Sequence, residues 1–249
     1  MLRNVVCSNK ILQGEINFMK GLTYLAIDLG CILIPFSASF YPKHPFYKEW
    51  KYFFPANLIV AILFLIWDYF FTKAGFWGFN PDYLTGIYLA NLPIEEVLFF
   101  IAIPYACTFT YFALQYIPIV NPFSKIELPL NALFALSMLF AGLTFLGKWY
   151  TSLTFLLLGW YLLVALFTKR KMASIYLSYI LILPFFFISN GILTGYITPE
   201  PIVWYNHAEN LNFRLGSIPI EDVFYGFLLI VWNIHLYEYL KKRANKDLA

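Results

Sequence analysis

The chain has 249 residues, of which 61% are hydrophobic and only 12% are charged. Ordinary soluble domains carry about 25% charged residues, so this composition excludes a soluble globular protein and predicts an integral membrane protein. The formal net charge of +3 suits contact with anionic lipid and gives no indication of nucleic-acid binding.

Apolar stretches of about 20 residues, the length that crosses a hydrocarbon core, follow one another along the chain. Their apolar residues are continuous rather than alternating, which excludes a transmembrane β-barrel and predicts an all-α membrane fold. We predict seven transmembrane helices, at residues 21–40, 52–71, 93–114, 128–146, 149–167, 172–189 and 218–240.

The segment before the first predicted helix is more polar. Residues 1–18 lack the basic, apolar and small-residue regions of a signal peptide, and we interpret them as an N-terminal extension, with Met19 as an alternative start. Neither a disulfide framework nor a metal site is predicted, because the cysteines and histidines show no pairing or ligand spacing. These residues are Cys7, Cys31, Cys107, His44, His207 and His235.

Two acidic motifs stand at the start of the third and seventh predicted helices. Pro93 begins Pro-Ile-Glu-Glu-Val, and Pro219 begins Pro-Ile-Glu-Asp-Val. Proline at the first helical position and acids in the first turn are both favoured by helix-end geometry, so two well-formed helix starts are the structural alternative to a functional role. Neighbouring helical side chains point about 100° apart. In each pair, one carboxylate can therefore face the bundle interior while the other caps the helix.

The motifs belong to a longer internal repeat. An aromatic-Asn pair precedes each proline at the same offsets, and an acid or amide lies at the end of the preceding helix. We predict a first repeat at 19–115, a linker with the fourth helix at 116–148, a second repeat at 149–240 and a basic tail at 241–249. The repeated residues are Phe79-Asn80 and Tyr205-Asn206, with Asp68 and Asn190 before them and Trp77 and Trp204 nearby, one residue out of step.

Helix number and charge predict the topology. Each repeat has three helices, so the linking helix returns the second repeat to the orientation of the first, and both motifs lie at one membrane face around a pseudo-twofold axis. Eleven basic residues lie on the opposite side and six on the motif side. By the positive-inside bias, the C-terminus is predicted to be cytoplasmic.

Carboxylates in an apolar bundle lose hydration and compete for protons, whereas the helix dipole favours their ionised form. A protonated acid beside an ionised one makes an acid/base pair. We predict proton transfer by Glu95, Glu96, Glu221 and Asp222, without assigning acid and base among them. The predicted site lining is Asp68, Trp77, Phe79, Asn80, Asn190, Trp204, Tyr205 and Asn206, with Asp28 a further acid inside a span.

The runs Phe76–Phe100 and Tyr205–Asp222 resemble the two halves of the small integral-membrane lycopene β-cyclases, in their fused bacterial form. The resemblance covers residues 19–242. It implies that the acyclic ends of lycopene are closed into β-ionone rings: an acid protonates the terminal double bond, the internal alkene attacks the cation, and a base removes a ring proton. It also implies lycopene and other carotenoids drawn from the bilayer as partners, together with membrane lipids, and a bacterial inner-membrane location. The oligomeric state stays open.

No cofactor is predicted, because the chain has no dinucleotide fingerprint, no P-loop and no soluble domain. A carotenoid hydratase is an alternative, since water can capture the same cation, and a transporter is the non-enzymatic alternative. An intramembrane metalloprotease would need an Arg shortly after Glu96 and histidines within helices. A retinal-binding protein would need a lysine in the last helix, between Ser217 and Leu240, and the sequence has none there.

Overall fold

The computed structural model describes residues 19–246, so the predicted extension at 1–18, with Cys7, and the last three residues of the tail lie outside the described part of the chain. Within it, six helices are long and apolar enough to cross a membrane. The all-α membrane fold is thereby confirmed. The helices are α1 (Thr23–Ala38), α2 (Trp50–Ala74), α3 (Ile94–Leu114), α4 (Glu127–Thr144), α5 (Trp149–Phe167), α6 (Ala173–Leu193) and α7 (Ile220–Lys246).

Helix α1 covers the first of the seven predicted spans but is shorter than the other six helices. Its 16 residues extend about 24 Å, less than the roughly 30 Å of a hydrocarbon core. The chain turns immediately afterwards into a short 3₁₀ turn, Phe46–Glu49, which leads into α2. A helix is therefore present at every predicted span, and the first is the short one.

Short strands lie between the helices at one end of the bundle. Strand β1 (Trp77–Phe79) follows α2, and β4 (Val203–Tyr205) follows α6. A two-strand hairpin then precedes each motif helix: β2 (Tyr88–Leu89) with β3 (Leu92–Pro93) before α3, and β5 (Arg214–Leu215) with β6 (Ile218–Pro219) before α7. Helix α2 gives way to this region at Gly75, whose φ of 76° closes the helix with hydrogen bonds to Phe71 O and Thr72 O.

The prolines of both motifs occupy a different position from the predicted one. We expected them at the first helical position, but Pro93 pairs with Tyr88 and Pro219 pairs with Arg214 in the hairpins. Pro93 is extended, with φ −67° and ψ 151°, and serves as the N-cap of α3. The hairpin thus fixes the direction in which each motif helix starts, and Ile94 and Ile220 are the first helical residues.

The helices form two parallel three-helix repeats, α1–α3 and α5–α7, joined by α4. The linking helix packs closely on α5 at two small residues, Gly142 and Gly159. A Cβ at Gly159 would stand 2.9 Å from Leu139 N and 3.0 Å from Ala135 O, and one at Gly142 would stand 2.7 Å from Leu156 Cγ. Small residues allow such close approach between membrane helices. The arrangement brings the starts of α1, α3, α5 and α7 to one face, here called the motif face.

Candidate active site

A three-residue ribbon joins the two repeats at the motif face. Strands β1 and β4 pair antiparallel, with Gly78 opposite Trp204 at the centre. Backbone hydrogen bonds of 2.8 Å extend the pairing equally at both ends, from Asn80 N to Ile202 O and from Asn206 N to Phe76 O. Because each strand contributes the same set of positions, the pair is related by a pseudo-twofold axis through its centre. The acidic motifs lie on either side of this axis.

The first acid of each motif accepts a hydrogen bond from the loop that precedes its helix. Glu95 Oε1 accepts the Thr85 amide at 2.6 Å, and Glu221 Oε1 accepts the Leu211 amide at 2.7 Å; in both cases the partners are 10 residues apart. Glu221 Oε1 also accepts the Thr151 hydroxyl at 2.5 Å. Both glutamates are fully buried. These two carboxylates tie the motif helices to the preceding loops and do not line the central cavity.

The second acid of each motif, by contrast, faces the cavity between the repeats. Glu96 Oε2 accepts the Tyr24 hydroxyl at 2.5 Å, and Asp222 Oδ1 accepts the Tyr150 hydroxyl at 2.6 Å. In each repeat the tyrosine precedes the acid by 72 residues and lies in the first turn of the repeat's first helix. Glu96 and Asp222 both line the cavity, so the structure brings the two motifs together through these acids.

The two motif acids that line the cavity differ in the number of hydrogen-bond donors that reach them. Asp222 Oδ2 accepts Asn190 Nδ2 at 2.8 Å and the Tyr205 hydroxyl at 2.9 Å, in addition to the Tyr150 bond. Burial, followed by the nearby Asp222 carboxylate, raises the pKa of Tyr205 well above its ordinary value, so this phenol remains a donor. Among the described residues, Tyr24 is the one donor to Glu96. Three donors favour an ionised carboxylate at Asp222.

The cavity itself is small and mainly apolar. Its volume is about 90 Å³, which is below the roughly 300–1,000 Å³ of pockets that enclose a drug-sized ligand. Residues of both repeats contribute to it, and among the described residues the carboxylates in its lining are Asp68, Glu96 and Asp222. The hydrophobic lining includes Trp77, Phe79, Phe99, Ile103, Ile182, Phe186, Leu193, Val203, Leu229 and Ile230.

Asp68 fixes the position of Trp77, one of the aromatic residues that line the cavity. Its Oδ1 accepts the Trp77 indole N–H at 2.7 Å, while its Oδ2 is buried with no hydrogen-bond partner among the described residues. The Trp77 ring lies 5.0 Å from Tyr150 and 6.3 Å from Tyr205, centroid to centroid. The bond therefore fixes an indole beside the two tyrosines that donate to Asp222.

The remaining predicted site residues divide between the cavity and its surroundings. Phe79, Asn190 and Tyr205 line the cavity. Asn80 and Asn206 instead close turns, accepting the amides of Asp82 at 3.1 Å and Ala208 at 3.0 Å. Trp204 lies over Gly78, where an added Cβ would stand 2.4 Å from the indole Cζ2, and 43% of its surface is exposed. The out-of-step tryptophans thus have different positions: Trp77 is in the cavity and Trp204 is outside it.

Four tyrosines of the cavity were missing from the predicted site: Tyr24, Tyr150, Tyr179 and Tyr225. Tyr24 and Tyr150 are recognisable from the repeat, because each precedes the second acid of its own motif at one shared spacing. Tyr225 follows Asp222 by three residues on α7, and its hydroxyl is buried without a partner among the described residues. Its helical spacing from the acid is the only sequence signal for it.

A comparison with protein families identifies the family to which this chain belongs. A family model described as lycopene cyclase matches the chain twice, over residues 21–114 and 147–240. The chain belongs to the lycopene cyclase family. No curated protein and no solved structure matches it. The resemblance identified from the motifs is confirmed, and each matched segment contains one complete acidic motif together with its tyrosine.

Membership of the lycopene cyclase family agrees with the internal repeat. The two matched segments correspond to α1–α3 and α5–α7, and the linking helix α4 lies between them. Both halves of this family member contribute acids and tyrosines to the cavity: Asp68, Glu96 and Tyr24 come from the first half, and Asp222, Tyr150, Tyr179, Tyr205 and Tyr225 come from the second. The cavity lies where those halves meet.

Proposed function

We propose that the chain is a lycopene β-cyclase whose proton transfer is carried out by Glu96 and Asp222. The observation that supports this most strongly is the meeting of two motif carboxylates, one from each repeat, in a small, mainly apolar cavity at the repeat interface. Their unequal hydrogen bonding supports different roles for the two acids. Glu96, with one donor, is the acid, and Asp222, with three, is the base.

The reaction consumes no net proton. Glu96 gives a proton to the terminal double bond of lycopene, and the internal alkene attacks the resulting cation to form the ring carbon–carbon bond. Asp222 then takes a proton from the ring, which leaves the β double bond. Substrate and product are isomers, so the chemistry needs no redox cofactor. A proton returned from Asp222 to Glu96 completes the cycle.

The walls of the cavity suit a carbocation. Trp77, Tyr150 and Tyr225 line the cavity together with the acids, and an aromatic face stabilises a desolvated cation by about 2 kcal/mol. Most of the surface that lines the cavity is apolar. This composition supports proton removal over capture of the cation by water, and thus cyclisation over the hydratase alternative.

In the proposed cellular setting, the protein resides in a bacterial inner membrane and takes lycopene or related carotenoids from the bilayer. Expression in a bacterium that accumulates lycopene, followed by pigment analysis, tests the activity. The expected result is conversion to γ- or β-carotene, and the ratio of the two reports whether one or both ends are closed. Unchanged lycopene beside a folded, membrane-inserted protein would refute the proposed function.

A further inference from the structure

An apolar groove lies on the lipid-facing side of helices α4, α6 and α7, next to the cavity. Its volume is about 220 Å³, and no polar surface contributes to it. Tyr179 lines both the groove and the cavity, which makes the two spaces neighbours across a single side chain. The groove residues are Phe123, Leu130, Phe134, Tyr176, Tyr179, Ile180, Val223, Phe224 and Phe227.

The boundary between groove and cavity lies in the crevice between α6 and α7. There the Tyr179 hydroxyl donates to Val223 O, a carbonyl one residue beyond Asp222. Gly226 faces the same crevice, and a Cβ at this position would stand 3.5 Å from the Tyr179 hydroxyl. The crevice is therefore closed by one tyrosine and lined on α7 by a residue without a side chain.

Aromatic rings line the groove outward from this point. Tyr179 lies 4.9 Å from Phe227, which stacks on Tyr176 at 5.6 Å and lies 5.8 Å from Phe134 on the linking helix. A second large groove, between α2, α5 and α7, shares no residue with the cavity. Among the apolar grooves formed by the described residues, the α4–α6–α7 groove is the one that borders the cavity.

We infer that the α4–α6–α7 groove holds the polyene portion of the substrate while one acyclic end occupies the cavity. The inference rests on the proposed function. A cavity of about 90 Å³ is too small for a long, rigid carotenoid, so most of the molecule has to lie elsewhere. The groove offers a wholly apolar, aromatic surface next to Asp222, and its exposed side opens to the lipid from which the substrate comes. Tyr179 separates the groove from the cavity, so its side chain has to move when the acyclic end of the substrate enters the cavity.

Ile180→Trp tests the inference by filling the groove. Ile180 is 49% exposed and lines the groove without lining the cavity. The matched control is Ile188→Trp, at a lipid-facing position on the same helix that is 65% exposed and lines neither space. Each purified variant is assayed with lycopene and with a short analogue that carries the same acyclic end but lacks the long polyene.

The expected result is a fall of about tenfold or more in kcat/KM for lycopene in Ile180→Trp. Turnover of the short analogue by this variant and turnover of both substrates by Ile188→Trp should match the wild type. Equal lycopene kinetics in the two variants would overturn the inference, as would an equal loss on long and short substrates in Ile180→Trp. Failure of the wild-type protein to cyclise either substrate would instead refute the proposed function, and the inference with it.

Discussion

At the scale of single residues, the cavity acids are distinguished by their hydrogen bonds. Asp222 is held by Tyr150, Tyr205 and Asn190, whereas Glu96 is held by Tyr24. A carboxylate with several donors is stabilised as an anion and is fixed in direction. This difference supports the proposed roles, in which Asp222 accepts a proton from the ring and Glu96 delivers one to the substrate.

Removing a single donor from Asp222 should weaken catalysis without abolishing it. Tyr205→Phe and Tyr150→Phe each delete one hydrogen bond to a charged group, worth about 1.5 kcal/mol, so we expect a drop in kcat/KM of about tenfold for each. Asp222→Asn removes the proposed base and should reduce turnover to background. The kcat/KM of each variant is measured with lycopene in reconstituted membranes. Tyr196→Phe is the control, because Tyr196 is exposed. Full activity in Asp222→Asn would contradict the role of the base.

The four motif acids were predictable from the sequence, but their division into cavity acids and loop acids was not. Adjacent helical positions point about 100° apart, and which of them faces inward depends on how the hairpins orient α3 and α7. The chain has 19 tyrosines, and their residue type alone does not distinguish the ones that line the cavity. Only the shared 72-residue spacing sets Tyr24 and Tyr150 apart.

At the scale of elements, the ribbon of β1 and β4 joins the repeats above the cavity. Its centre is a close contact in which the Trp204 indole covers Gly78. Strands of two or three residues are too short to show an alternating pattern, so the sequence did not predict them. The longer helices were predicted closely, because lipid requires each backbone polar group to be satisfied within its own span.

Gly78→Ala should destabilise the ribbon. Its new Cβ would stand 2.4 Å from Trp204 Cζ2, and overpacking of this kind costs roughly 1–3 kcal/mol. We expect a lower midpoint of thermal unfolding in detergent. Gly30→Ala on α1 is the control, because nothing lies within 4 Å of its added Cβ. The double variant Gly78→Ala/Trp204→Ala should recover stability; equal midpoints for Gly78→Ala and Gly30→Ala would rule out the predicted clash.

At the scale of the whole molecule, the parallel repeats explain how two distant motifs share one cavity. The apolar spans of the sequence predict three helices per repeat and one linking helix. This number of helices places both motifs at the same membrane face, so the sequence predicted their common location. The cavity size and the adjoining groove could not be predicted from the sequence, because they depend on side-chain packing between helices far apart in the chain. The predicted domain boundaries at 19–115, 116–148, 149–240 and 241–249 stay predictions.

The charge distribution predicts how this bundle is oriented. Basic residues cluster opposite the motif face, so we expect the C-terminus to be cytoplasmic and the motif face to be on the other side. Alkaline phosphatase, which is active only outside the cytoplasm, should be inactive when fused after residue 249 and active when fused after residue 199, between α6 and β4. The reverse pattern would invert the proposed topology.

The most direct test of the account compares Glu95→Gln with Glu96→Gln. In Glu95→Gln, the amide oxygen can still accept the Thr85 N–H. Glu96→Gln, by contrast, removes the carboxylic acid that we propose as the proton donor to the substrate. Both variants are expressed in a lycopene-accumulating bacterium, and pigments are measured at matched amounts of membrane-inserted protein. We predict ring-containing carotenoid from Glu95→Gln and unchanged lycopene from Glu96→Gln. Cyclised product from Glu96→Gln, with lycopene alone from Glu95→Gln, would contradict the assignment of the second motif acid as the proton donor.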